Sequence, residues 1–312
     1  MNKRNITYAF IASFAGAIGA RAYLAHADTA SSTPRGTATV YAGIAADQIE
    51  QITPADRIKS IATKVLDTPA PAAIWQALEH GEKVDCLDCI PAVEKLLYVN
   101  DAKTREISAW WLRRRIFGVF GEGQAYERTI QTLQTNADAT TRAHAAEALG
   151  EFLSSGGVQP VATALVNDAS PLVRAAAARA LARLNNIGPN QELSKAMSDG
   201  DPTVRFAAIR AAVHIQSFVD VAAVAQLVSD TSVDVRRQAA SALGSMRAKD
   251  SVAALITLTS PTAEADPVTR AEAAHSLGLI GDKTAQAALV AAQSDPDMRV
   301  RDAATIALRT LG

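Results

Sequence analysis

The sequence predicts an all-α protein, a solenoid of about seven stacked helical hairpins with an N-terminal helical cap. Three observations predict it. Alanine supplies 65 of the 312 residues and aromatic residues only 5%; alanine is the best helix former and a weak strand former. One arginine recurs at nearly constant spacing from Arg105 to Arg301. The same small and apolar positions accompany it each time, as stacked repeats require.

Residues 1–27 read as a secretory signal, with Lys3 and Arg4 as the basic start, an uncharged apolar run from Ile6 to Ala20, and Ala25-His26-Ala27 as an A-x-A cleavage site. The apolar run is short for a membrane span, which needs about 20 residues, so no span is expected after cleavage. Without these residues the chain holds 28 basic and 32 acidic residues, a net charge of −4. An acidic chain is poorly suited to nucleic acid, which demands a basic surplus. The signal predicts a periplasmic or secreted protein of the bacterial envelope.

Residues 28–46 are small and polar and read as a linker. Residues 47–85 are expected to form capping helices. Thr53 and Pro54 open the first, which runs to about Leu66, and the second runs from about Ala72 to His80 and stops at Gly81. Cys86 and Cys89 are the only cysteines. In an oxidising compartment they are expected to form a local disulfide. A thiol-redox role is the alternative. Haem attachment would need histidine at position 90, which is Ile90, and no nearby pair completes a zinc site.

Residues 86–312 hold the repeat. Arg105, Arg142, Arg174, Arg205, Arg236, Arg270 and Arg301 align. Three residues after each stands a small residue, Ser108 or alanine, and seven after stands leucine or, once, Ala212. These positions share one face of a helix. Six before the arginine are Asn136, Asp168, Asp199, Asp230, Glu264 and Asp295, with Val99 as the exception. Pro171, Pro202 and Pro267 stand three before it, where a first helical turn tolerates proline. Each unit therefore reads as helix, short acidic turn, helix. Neither helix can bury its apolar stripe alone. The last unit reaches Gly312 without a capping helix after it, which predicts an end face covered by a partner or more polar than it looks.

The acidic turns and the run from Val235 to Gly244 resemble HEAT repeats, and most closely the short HEAT-like repeats of phycobilisome bilin lyases. The resemblance implies a right-handed solenoid with second helices lining the concave face. It also implies a ladder in which each turn acid pairs with an arginine of a neighbouring unit. Carried onto this chain, the acids are Asp168, Asp199, Asp230 and Asp295, and the arginines Arg174, Arg205, Arg236 and Arg301. A bilin-lyase-like accessory that presents a client for modification is the enzymatic alternative it raises.

No phosphate loop, nucleophile elbow or zinc-protease motif occurs, and the histidines fall in different units. No catalytic residue, metal or cofactor is expected, and lone helix histidines read as solvated or capping groups. Two features could serve a protein partner. Trp110 and Trp111 depart from the alanine rule of the other units. They are expected to pack beneath the N-terminal helices, against the reading that Trp110 with Arg113 and Arg114 is a binding hot spot. The outward positions of adjoining units carry Arg179, Arg183, Arg210, His214 and Arg237, a basic stripe that would hold an acidic segment of a partner. The function expected is a non-enzymatic protein-binding scaffold or assembly factor.

Overall fold

The computed structural model describes residues 39–41, 44–45, 78, 90–118, 121–185, 188–215 and 218–311. The signal-like segment, the two predicted capping helices save Leu78, and the Cys86–Cys89 pair lie outside the described residues. The chain divides into two compact units, Met1–Gln51 and Ile52–Gly312. In the first, β1 (Thr39–Tyr41) pairs antiparallel with β2 (Ile44–Ala45). This ladder lies inside the stretch expected as a linker.

The second unit is a run of helical hairpins. Its described first helices are α1 (Ile90–Glu94), which continues as a 3-10 turn through Tyr98, α3 (Gln124–Thr135), α5 (Val158–Asn167), α7 (Asn190–Ala196), α9 (Val221–Gln226), α11 (Val252–Leu258) and α13 (Gln286–Ala292). The second helices are α2 (Ala102–Ile116), α4 (Ala139–Phe152), α6 (Pro171–Leu184), α8 (Pro202–His214), α10 (Val233–Ser245), α12 (Pro267–Ile280) and α14 (Met298–Leu311). The described residues thus form seven hairpins. A short ladder of β3 (Phe117–Gly118) and β4 (Gly121–Glu122) joins the first two. The Ile-Phe-Gly-Val-Phe-Gly stretch there is made of β-formers and glycines, which the helical periodicity did not anticipate.

Local chemistry starts each second helix. The residue four before the repeat arginine is the N-cap. Asp138, Asp201 and Asp266 accept hydrogen bonds from the backbone N–H groups of Thr141, Thr203 and Thr269. Pro171, Pro202 and Pro267 fill the first helical turn. The apolar stripes then meet in one continuous core. Val161 and Leu165 of α5, Val173 and Leu181 of α6, and Val204 and Ile209 of α8 are fully buried.

The ladder of the structure runs through the turns. Nε and Nη2 of the five arginines from Arg142 to Arg270 donate to the carboxylate of the following unit, and Nη1 donates to two main-chain carbonyls of its own turn. Arg142 meets Asp168 at 2.8 and 2.9 Å, Arg174 meets Asp199 at 2.7 and 2.8 Å, and Arg205 meets Asp230 at 2.6 and 2.7 Å. Arg236 meets Glu264 at 2.5 and 2.9 Å, and Arg270 meets Asp295 at 2.9 Å through both nitrogens. The same acids accept an N–H from the residue two further on, as Asp168 does from Ser170. One guanidinium thus ties its own turn, and the acid it grips shapes the next. Arg142, Arg270 and Glu264 belong to this ladder although the family pattern did not assign them. Arg301 does not carry a rung. It holds the Asp295 and Pro296 carbonyls, and no carboxylate stands opposite it among the described residues. Arg105 finds Asn136 where later turns have an acid, and reaches Glu147 at 3.0 Å instead.

Candidate partner-binding groove

The outer rows of α6, α8 and α10 face a groove of about 900 Å³. Its lining includes Arg179, Arg183, Arg210, His214 and Arg237, so the five residues of the predicted stripe share one site. They occur together because residues one, five and nine after the repeat arginine lie on one side of each second helix, and stacking aligns those sides. Phe206 adds a large ring to the wall. Its counterparts in three other units are Ala143, Ala175 and Ala271. That departure from the repeat marks the site in the sequence, but the charge pattern overshadows it.

A second signal explains where the groove opens. Eight residues after the arginine, Gly150, Gly244 and Gly278 let neighbouring second helices nearly touch. A Cβ on Gly150 would stand 2.8 Å from the Ala180 Cα, and one on Gly278 would stand 2.8 Å from the Ala307 Cα. In two of the three units that line the groove this position is Ala182 and Val213. The branched Val213 holds α10 off α8. Accordingly α8 packs on α10 less extensively than α4 packs on α6 or α12 on α14.

The basic stripe is not a field of free charge. Arg179 is 3.2 Å from Glu147, Arg183 is paired with Glu151, and Arg237 is 3.0 Å from Asp266 and 3.4 Å from Asp234. Burial pushes the Asp266 carboxyl up, but Thr269 and Arg237 overcome it and hold the group at about 2. Glu147 and Glu151 occupy the equivalent helix positions one unit earlier, so stacking brings opposite charges side by side. Arg210 and His214 remain. Both are exposed, and among the described residues neither has a hydrogen-bond or ion-pair partner. Glu272 lines the far side of the groove and subtracts from its positive character.

The N-terminal tryptophans part company. Trp111 is fully buried, with the Arg115 guanidinium 3.8 Å from its ring centre. Trp110 is 43% exposed and carries Arg114 over its ring at 5.4 Å. Adjacent residues of a helix point about 100° apart, so only Trp111 enters the core; the N-terminal helices beneath which both are expected to pack lie, save Leu78, outside the described residues. Arg113 reaches back to the Glu151 carbonyl at 3.3 Å. Trp110, Arg113 and Arg114 do not line the groove. Nor is every histidine solvated. His144 is only 8% exposed, and burial followed by the nearby Arg105 lowers its pKa, whereas His214 and His275 are exposed. Among the described residues no cluster of histidine, cysteine and acidic side chains is placed to hold a metal ion. None of their helices is long and apolar enough to cross a membrane.

The chain matches no curated protein. Its fold is similar to that of YibA of E. coli, at 17% identity and a TM-score of 0.56 over 85% of this chain and 94% of that one. It is similar to Kap121p, at 12% identity and a TM-score of 0.56 over 84% of this chain and 34% of that one. The CpcE–CpcF complex of phycocyanin lyase from Nostoc sp. PCC7120 aligns at 22% identity and a TM-score of 0.40 over 71% of this chain and 86% of that one. The family model of HEAT repeats matches three overlapping stretches, residues 126–211, 158–226 and 221–309, which together span more than half of the sequence. With the hairpins, the turn ladder and this match in agreement, the chain belongs to the HEAT-repeat family.

Proposed function

We propose that this protein is an exported, non-enzymatic scaffold that holds a segment of a protein partner in the groove across α6, α8 and α10. One observation carries the reading. Inside a groove whose other arginines are each neutralised by a neighbouring carboxylate, Arg210 and His214 are exposed and, among the described residues, unpaired. An unpaired guanidinium beside the Phe206 ring suits a partner carboxylate, with apolar area next to it for contact. A fold precedent supports it, since Kap121p has been solved bound to Pho4p. Export to the bacterial envelope rests on Lys3, Arg4, the apolar run and the Ala25-His26-Ala27 site.

The partner's acidity is narrower than a run of acids would be. With Arg179, Arg183 and Arg237 already paired, the groove recognises one or two carboxylates rather than a long acidic tract. Affinity capture with the full chain and with Arg210→Glu tests this. The expected result is a protein retained by the natural chain and lost with Arg210→Glu, while the variant keeps its helical content. Equal recovery on both baits contradicts it.

A further inference from the structure

The face that carries the groove continues past it. Five residues after the repeat arginine, the series runs Arg210, Ser241, His275, Ile306; nine residues after, it runs His214, Ser245, Leu279, Thr310. Its character changes along the stack. The unpaired Arg210 and His214 stand on α8 and two small serines on α10. Exposed aliphatic side chains follow, Leu279 on α12 at 38% and Ile306 on α14 at 54% exposure. Isolated exposed apolar residues are ordinary on a protein surface. These two occupy the rows whose earlier members are Arg179 and Arg210 or Arg183 and His214, so they extend the same strip.

We infer that this strip takes one extended segment of a partner protein, with a carboxylate seated on Arg210 and aliphatic side chains seated on Leu279 and Ile306. This rests on the groove reading above and specifies its ligand. Charge sets the polarity. Glu272 lines the groove from α12, the helix that also carries Leu279, and repels an acid placed there, so the carboxylate is confined to the α8 end. Geometry sets the spacing. Packed helices lie about 8–10 Å apart, which places Leu279 about 16–20 Å and Ile306 about 24–30 Å beyond Arg210. An extended chain advances about 3.3 Å per residue. The acid and the first aliphatic residue are therefore about five or six residues apart, and the acid and the second about seven to nine. The serines of α10 leave room for the intervening backbone, and Arg237 of the same helix is already paired with Asp234 and Asp266.

The test is selection of random peptides of about fifteen residues displayed on phage against the full-length protein, followed by binding of the enriched peptides to variants. The expected result is an acid separated from aliphatic residues by this spacing. Arg210→Ala should weaken such peptides about tenfold or more, and Ile306→Asp with Leu279→Ser should weaken them comparably. Both sets of changes are on exposed side chains, and circular dichroism checks that the helices persist. Moving the acid three residues closer to the aliphatic pair should also cost about tenfold. Peptides that need Arg210 but carry no aliphatic preference and ignore Ile306→Asp overturn the strip and leave the groove reading standing. Peptides indifferent to Arg210 and to the aliphatic pair alike overturn both.

Discussion

Each rung of the turn ladder places a guanidinium between two units, and its chemistry sets how the protein responds to mutation and to acid. Burial pushes the Asp168, Asp199 and Asp230 carboxyls up, but their arginines and the turn N–H groups outweigh it, and all three lie below the usual carboxylate range. Arg236 likewise lowers Glu264, and Arg270 lowers Asp295. Groups whose folded pKa is depressed stabilise the fold fully above their unfolded pKa, about 4. That stabilisation is lost as pH falls through the depressed values. Thermal melts should hold a steady midpoint above about pH 5 and fall steeply below about pH 4. Breaking an inner rung with Asp230→Asn leaves Arg205 facing a neutral group in a largely buried place, and should cost about 2–4 kcal/mol by urea unfolding. Arg301→Ala removes no carboxylate pair and should cost less than half as much. The ladder's acids and arginines were legible because they repeat. The Arg105–Glu147 contact was not, because it is made where the repeat fails and Asn136 replaces the acid.

Helices in this protein are specified by periodic alanine, capping residues and first-turn prolines, all of which are local signals, and their hairpin order was legible for that reason. The β3–β4 ladder was not, since a two-residue pairing has no periodicity to read. Neither was the spacing between helices. Whether glycine or a larger residue stands eight after the arginine leaves the helical pattern unchanged but decides how closely the neighbour can approach. Alanine is favoured over glycine by about 1 kcal/mol in a helix, so propensity alone predicts that Gly244→Ala stabilises. A Cβ there would lie 2.8 Å from the Ser276 Cα and 2.5 Å from its hydroxyl oxygen. The overpacking cost of about 1–3 kcal/mol should exceed the propensity gain, lowering the unfolding midpoint. Gly200→Ala is the control, because nothing lies within 4 Å of the added carbon, and it should be neutral or slightly stabilising.

For the molecule as a whole, the repeat that makes the fold readable also conceals the site. The stripe of Arg179, Arg183, Arg210, His214 and Arg237 was visible in the alignment, yet its net effect depends on carboxylates one unit away. Glu147, Glu151 and Asp266 reduce a basic stripe to a groove with two unpaired members. This makes a prediction about charge. Glu147→Gln with Glu151→Gln frees Arg179 and Arg183, and should tighten binding of an acidic partner while making it more sensitive to salt, as titrations at two ionic strengths would record. The central claim is that a partner lies along the second helices of units three to five. Photo-crosslinking in native cells tests it most directly, with the reactive side chain placed at Phe206 or Ser241 in the groove, or at Val290 on a first helix. One protein should crosslink at both groove positions, be absent from Val290, and disappear when Arg210→Glu is added. Crosslinks at Val290 equal to those in the groove, or groove crosslinks that survive Arg210→Glu, would contradict it.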